Sequence, residues 1–129
     1  MARQSTGRPT DSELAILGVL WELGPSTVRA VHEKLNESKP TGYTTVLKIM
    51  QIMSAKGLVT RDETSQTHVY TAAAPEKQTQ RLLLRDLTDR AFGGSARRLI
   101  LGALSVKKIS PDELAEIRAL LNKLDSSEK

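Results

Sequence analysis

The apolar positions of this chain change period along its length, and that change predicts its elements. Leu14, Leu17 and Trp21 recur at helical spacing, with Ile16, Leu20 and Leu23 beside them. This pattern predicts an amphipathic helix with a broad buried face. Thr10 and Glu13 have the spacing of a capping box before it, and Gly24-Pro25 stops it. Ser26 or Thr27 can cap a second, short helix with apolar positions at Val28, Val31 and Leu35, ending before the turn formers Asn36 to Pro40. A third helix is predicted from about Thr44 to Lys56. Val46, Ile49, Met50 and Met53 share one face, Thr45, Lys48, Gln51 and Ile52 point elsewhere, and Gly57 follows as a C-terminal cap.

The period then shortens to two. Leu58 to Arg61 and Thr67 to Thr71 read as strands around a polar turn, Asp62 to Gln66, with Val69 alternating against His68 and Tyr70. A β-hairpin placed directly after three short helices makes the parts of a winged helix-turn-helix, and Ala72 to Pro75 closes the unit. From Glu76 the helical period returns. Leu82, Leu83, Leu84 and Leu87 lead to Phe92, Gly93-Gly94 breaks the helix as a flexible joint, and Ser95 can cap a fifth helix carrying Leu99, Ile100, Ala103 and Leu104. Ser110 and Glu113 form a second capping box around Pro111. In the last helix, Leu114, Ile117, Leu121 and Leu124 make a narrow seam of the kind that faces a partner helix. The predicted class is mainly α with a small β-hairpin wing. Its parts are a flexible tail (1–9), a winged helix-turn-helix (10–75), a helical dimerisation domain (76–124) and a polar tail (125–129). A helical segment this small is marginal alone, so a homodimer interface is expected from Leu83, Leu87, Leu99, Leu104, Leu114, Ile117, Leu121 and Leu124.

Composition narrows the function. The formal net charge of +4 suits a polyanionic partner. The excess is spread, however: residues 1–75 carry 8 Lys/Arg against 7 Asp/Glu, and residues 76–129 carry 11 against 8. A DNA-binding surface must therefore come from where the charges point. Trp21, Tyr43, Tyr70 and Phe92 are the only aromatics, a thin set for stacking on flat ligands or single-stranded bases. The chain has no cysteine, which excludes disulfides, thiolate nucleophiles and cysteine metal sites. With no signal peptide or long apolar run, a cytoplasmic protein without direct membrane binding is expected. His32 and His68 sit on different elements without a metal-ligand cluster, and Gly93-Gly94 lacks the flanking Lys of a phosphate loop. Neither an enzyme nor a cofactor is expected.

The third helix carries the candidate chemistry. A helix that enters the major groove buries one face and offers polar side chains on the other. Tyr43, Thr44, Thr45, Lys48 and Gln51 supply that polar face, with Lys56 and Arg61 as phosphate contacts and the hairpin tip from Thr64 to His68 along the adjacent backbone or minor groove. The elements alone also fit a protein-binding adaptor or a ligand-sensing regulator. The run Gly42 to Met50, then Lys56 to Val59, then His68-Val69-Tyr70, resembles the penicillinase-repressor family, as does the first helix from Leu14 to Trp21. Phe92 to Ser95 with Leu99-Ile100, and Ser110 to Leu114, resemble its dimerisation region, so the likeness covers residues 9–124. The resemblance implies a dimeric repressor, on a pseudo-palindromic double-stranded operator, of genes such as those for antibiotic resistance. It also implies release through a membrane-bound sensor protease that triggers cleavage of the repressor. Relatives are cut between an Asn and a Phe just after the glycine pair, and the matching bond here joins Ser95 to Ala96. The paired cysteines of a copper-responsive branch are absent.

Overall fold

The computed structural model describes residues 8–127. Most of the tail expected over residues 1–9 lies outside the described residues. The element order is α1 (Asp11–Leu23), α2 (Val28–Asn36), α3 (Tyr43–Lys56), β1 (Val59–Asp62), β2 (Val69–Ala72), α4 (Glu76–Ala91), α5 (Ala96–Val106) and α6 (Pro111–Ser127). The fold is mainly helical with an antiparallel hairpin, as the periodicity predicts. Two compact units, Met1–Leu84 and Arg85–Lys129, divide inside α4. The boundary expected after Pro75 coincides with the start of α4, after β2 has ended at Ala72.

In the first unit, local chemistry sets the ends of the helices. The Thr10–Glu13 capping box forms in both directions, and Thr27 rather than Ser26 caps α2 by accepting from the Ala30 amide at 3.1 Å. Ser26 joins the sheet instead: its N–H donates to the Tyr70 carbonyl at 2.9 Å and its carbonyl accepts from the Tyr70 N–H at 2.8 Å. Gly57 ends α3 in the left-handed region at φ 84°, and the Leu58 amide reaches back to the Met53 carbonyl at 2.9 Å. That bond completes a Schellman turn, so Leu58 belongs to the helix stop and β1 begins at Val59. The core comprises Ile16, Leu17, Val19 and Leu20 of α1, Val28 and Val31 of α2, Val46, Met50 and Met53 of α3, and Val59 and Tyr70 of the hairpin. Two expectations are corrected there. Val19 is buried while Leu23 is 47% exposed, and on β2 the inward residue is Tyr70, with Val69 only half-buried. The register Arg61↔Tyr70 and Val59↔Ala72, together with the Ser26 bridge, turns Tyr70 onto the helices. Trp21 is half-buried and fastens the hairpin exit, its Nε1 donating to the Ala74 carbonyl at 3.0 Å.

The second unit has well-formed helix ends and little burial. Gly93 and Gly94 take φ of 60° and 78°, and Gly94 N–H donates to the Thr88 carbonyl at 2.9 Å. The glycine pair is thus a hydrogen-bonded left-handed turn. Ser95 caps α5 by accepting from the Arg98 amide, and Phe92 lies against Gly102, where a Cβ would come within 3.3 Å of its ring. Ser110 and Glu113 form their capping box at 3.1 Å each way. α6 continues through Asp125 to Ser127, so the polar end expected as a tail is helical over those residues. None of α4, α5 or α6 contains a buried residue.

Candidate nucleic-acid interface

The helix-turn-helix is built by α2, the turn after Asn36 and α3. Val46, Met50 and Met53 are fully buried, which fixes the rotation of α3 about its axis. At about 100° per residue, the arc opposite them is centred on Lys48, with Thr44 and Gln51 on one side and Thr45 and Ile52 on the other. All five are exposed, as is Tyr43 at the helix start. Ile49, expected on the buried face, is half-buried at its margin. The structure thus brings Thr44, Thr45, Lys48 and Gln51 onto one exposed arc, while Tyr43, also exposed, lies about 140° round the helix from Lys48. Ile52 belongs to the same surface at 44% exposure, although its residue type alone did not place it among candidate contacts.

The turn before α3 is held from α2. Gly42 is the N-cap of α3 and offers no side-chain cap. The Asn36 side chain donates from Nδ2 to the carbonyls of His32 at 2.8 Å and Thr41 at 2.9 Å, while its Oδ1 accepts from the Thr41 amide at 3.2 Å. The His32 ring meets Tyr43 edge-on, with centroids 5.6 Å apart and an interplanar angle of 79°.

Two of the cations expected at phosphate are engaged by carboxylates. Lys56 Nζ lies 2.8 Å from Glu13 Oε2, and the Glu13 side chain is only 4% exposed. Burial pushes the Glu13 carboxyl up, but the hydrogen bond from Lys56, the Thr10 amide and the Lys56 charge together hold it below its ordinary value. Lys56 thus ties the end of α3 to the start of α1, an engagement that its expected place at phosphate did not include. Arg61 points along the hairpin, with its Nε 2.6 Å from Glu63 Oε2. The Tyr70 hydroxyl first, and Glu63 second, hold its guanidinium pKa above the ordinary value. Lys48 has no ion pair among the described residues. At the wing tip, Glu63 to His68 are all exposed, Asp62 Oδ1 accepts from the Thr64 amide at 2.9 Å, and Ser65 Oγ donates to the Thr67 carbonyl at 2.6 Å.

This geometry can be set beside known proteins. The penicillinase repressor family model matches residues 9–123. The chain belongs to the penicillinase repressor family. The transcriptional regulator BlaI of Mycobacterium tuberculosis is 29% identical over 117 residues, covering 90% of this chain and 84% of that protein. The methicillin resistance regulatory protein MecI of Staphylococcus aureus is 18% identical over 114 residues, covering 88% and 93%. A solved MarR family protein from Bacillus stearothermophilus shares the fold with a TM-score of 0.52 at 18% identity, over 96% of this chain and 78% of that one. This penicillinase repressor family member is a transcriptional repressor with a winged-helix fold.

Proposed function

We propose that this repressor binds a pseudo-palindromic double-stranded operator as a homodimer, reading bases with the exposed arc of α3 and contacting the neighbouring backbone with the wing. The observation that carries the reading is the rotation of α3: three fully buried positions oppose a surface of threonines, Lys48 and Gln51 on the element after the turn. Gln51 can bond adenine bidentately, Ile52 or a threonine methyl can meet a thymine methyl, and Lys48 and the hydroxyls can reach phosphate. The wing adds Arg61 and His68, with Arg61 leaving Glu63 to meet phosphate. Salt-dependent binding to duplex DNA, followed by selection from a random duplex pool, tests the reading. A protein that binds duplex without sequence preference, or not at all, contradicts it and favours an adaptor.

The apolar surface left open on the C-terminal helices supports the homodimer. Leu87, Leu104, Leu121 and Leu124 are between 38% and 54% exposed, and Leu83, Leu99, Leu114 and Ile117 are half-buried, so the expected interface residues keep apolar surface for a second copy. Ile100, Leu101 and Leu120 extend that surface. Release proceeds by cutting at Ser95-Ala96 after a membrane-bound sensor protease is activated. Ala96 is exposed at the first position of α5, and cutting there severs α5 and α6 from the remainder. Mass spectrometry of the chain after incubation with the activated sensor tests this step, and an intact chain under full induction contradicts it. No helix among the described residues is long and apolar enough to cross a membrane. The repressor acts in the cytoplasm, without catalysis or a cofactor.

A further inference from the structure

We propose that Asn36 is a positioning residue for base reading, which sets the direction in which the first turn of α3 meets DNA. The proposal rests on the DNA reading above and extends it to a residue outside the contact surface. With Gly42 as its N-cap, α3 has no side chain of its own to fix its first turn, where Tyr43, Thr44 and Thr45 stand. The residue before the cap is held instead. Thr41 has its amide and its carbonyl both paired with one carboxamide, that of Asn36, as a neighbouring strand would pair them. The second Nδ2 hydrogen bonds the His32 carbonyl, which fastens the carboxamide to the last turn of α2. One helical turn earlier on the same face, His32 supplies the ring on which Tyr43 rests.

The chemistry of this clamp is specific to asparagine. Aspartate has no donor for the two carbonyls, serine and alanine are too short, and glutamine is one methylene too long. Asn36 is exposed, so the clamp lies outside the core, and its loss acts on the placement of α3 more than on folding.

Amide hydrogen exchange on Asn36→Ala, read by NMR, reports the clamp without DNA. Exchange at Thr41 and at Tyr43 to Thr45 is expected to quicken, with Met50 and Met53 protected as in the wild type. In parallel, affinity is measured for the duplex that wild-type protein selects from a random pool and for a scrambled duplex of the same composition. Losing the clamp is expected to weaken binding to the selected duplex by about tenfold, and to the scrambled one by no more than about twofold. Unchanged exchange at Tyr43 to Thr45, or an equal loss on both duplexes with a lower melting temperature, overturns the proposal. Wild-type protein that selects no sequence overturns the DNA reading itself, and the exchange data then report on the clamp alone.

Discussion

The winged unit and the C-terminal helices carry the same kind of apolar pattern and bury it very differently. Among the described residues, every buried hydrophobic lies between Ile16 and Tyr70. Beyond Glu76, the leucines of α4 to α6 are half-buried or exposed, and Leu121 is still 53% exposed. A helical period states that a face is to be covered and leaves open which chain covers it. In the winged unit the hairpin and three helices close on one another. In the C-terminal helices, capping boxes and a glycine turn fix the local structure, and the missing burial is what the proposed second copy of the chain would supply.

The sharpest way to break this comparison is to charge the exposed seam. Leu121→Asp is expected to give a monomer with an intact winged unit, and operator affinity lower by about a hundredfold or more, because two half-sites lose their linked binder. Sedimentation and gel shift check both quantities, and a Leu121→Asp protein that stays dimeric moves the interface elsewhere. Truncation inside the winged core acts on folding instead. Met50→Ala is expected to cost about 2–5 kcal/mol by emptying a fully buried site. Denaturant melts of the winged unit then shift without depending on protein concentration, and an unchanged melt contradicts the packing described.

Smaller effects sharpen the division between reading and holding. Lys48→Ala is expected to lower the salt dependence of operator binding by about 0.9 in the logarithmic slope, and Thr45→Ala to weaken the operator complex by about 1 kcal/mol. Neither is expected to change the mass or the melting temperature, and wild-type binding by both across several salt concentrations removes α3 from the groove. The Glu13–Lys56 tie has a pH signature. Because the folded carboxyl lies below its ordinary value of 4.5, its contribution is full above that value and is lost as pH falls through the lower folded value. Lys56→Met is expected to remove about 1 kcal/mol at neutral pH, a figure reduced by solvent around a cation that is a third exposed, and to flatten the acid limb. Identical acid denaturation curves for variant and wild type contradict the tie.

What was legible in the sequence was local. Thr10 with Glu13, Gly57, and Ser110 with Pro111 and Glu113 announce helix ends through chemistry that spans a few residues, and the structure has each of them. The buried trio of α3 and its polar arc follow from a helical period, so most of the candidate surface was readable. The missing features depend on distance along the chain. Lys56 meets a carboxylate 43 residues away, and Trp21 reaches a carbonyl 53 residues away. No local pattern announces either contact. Tyr70 turns inward because Ser26 bridges β2, a partner that strand alternation cannot name. Asn36 reads as a turn former in sequence, and its hold on Thr41 appears only in the geometry of its carboxamide.

The central claim is that the winged unit closes its own core while the C-terminal helices need a second copy. Sedimentation equilibrium of the intact wild-type chain at micromolar concentration tests it most directly. The account predicts twice the 14.2 kDa chain mass, and one such dimer per operator duplex. A species of 14.2 kDa that binds the operator at full affinity contradicts it.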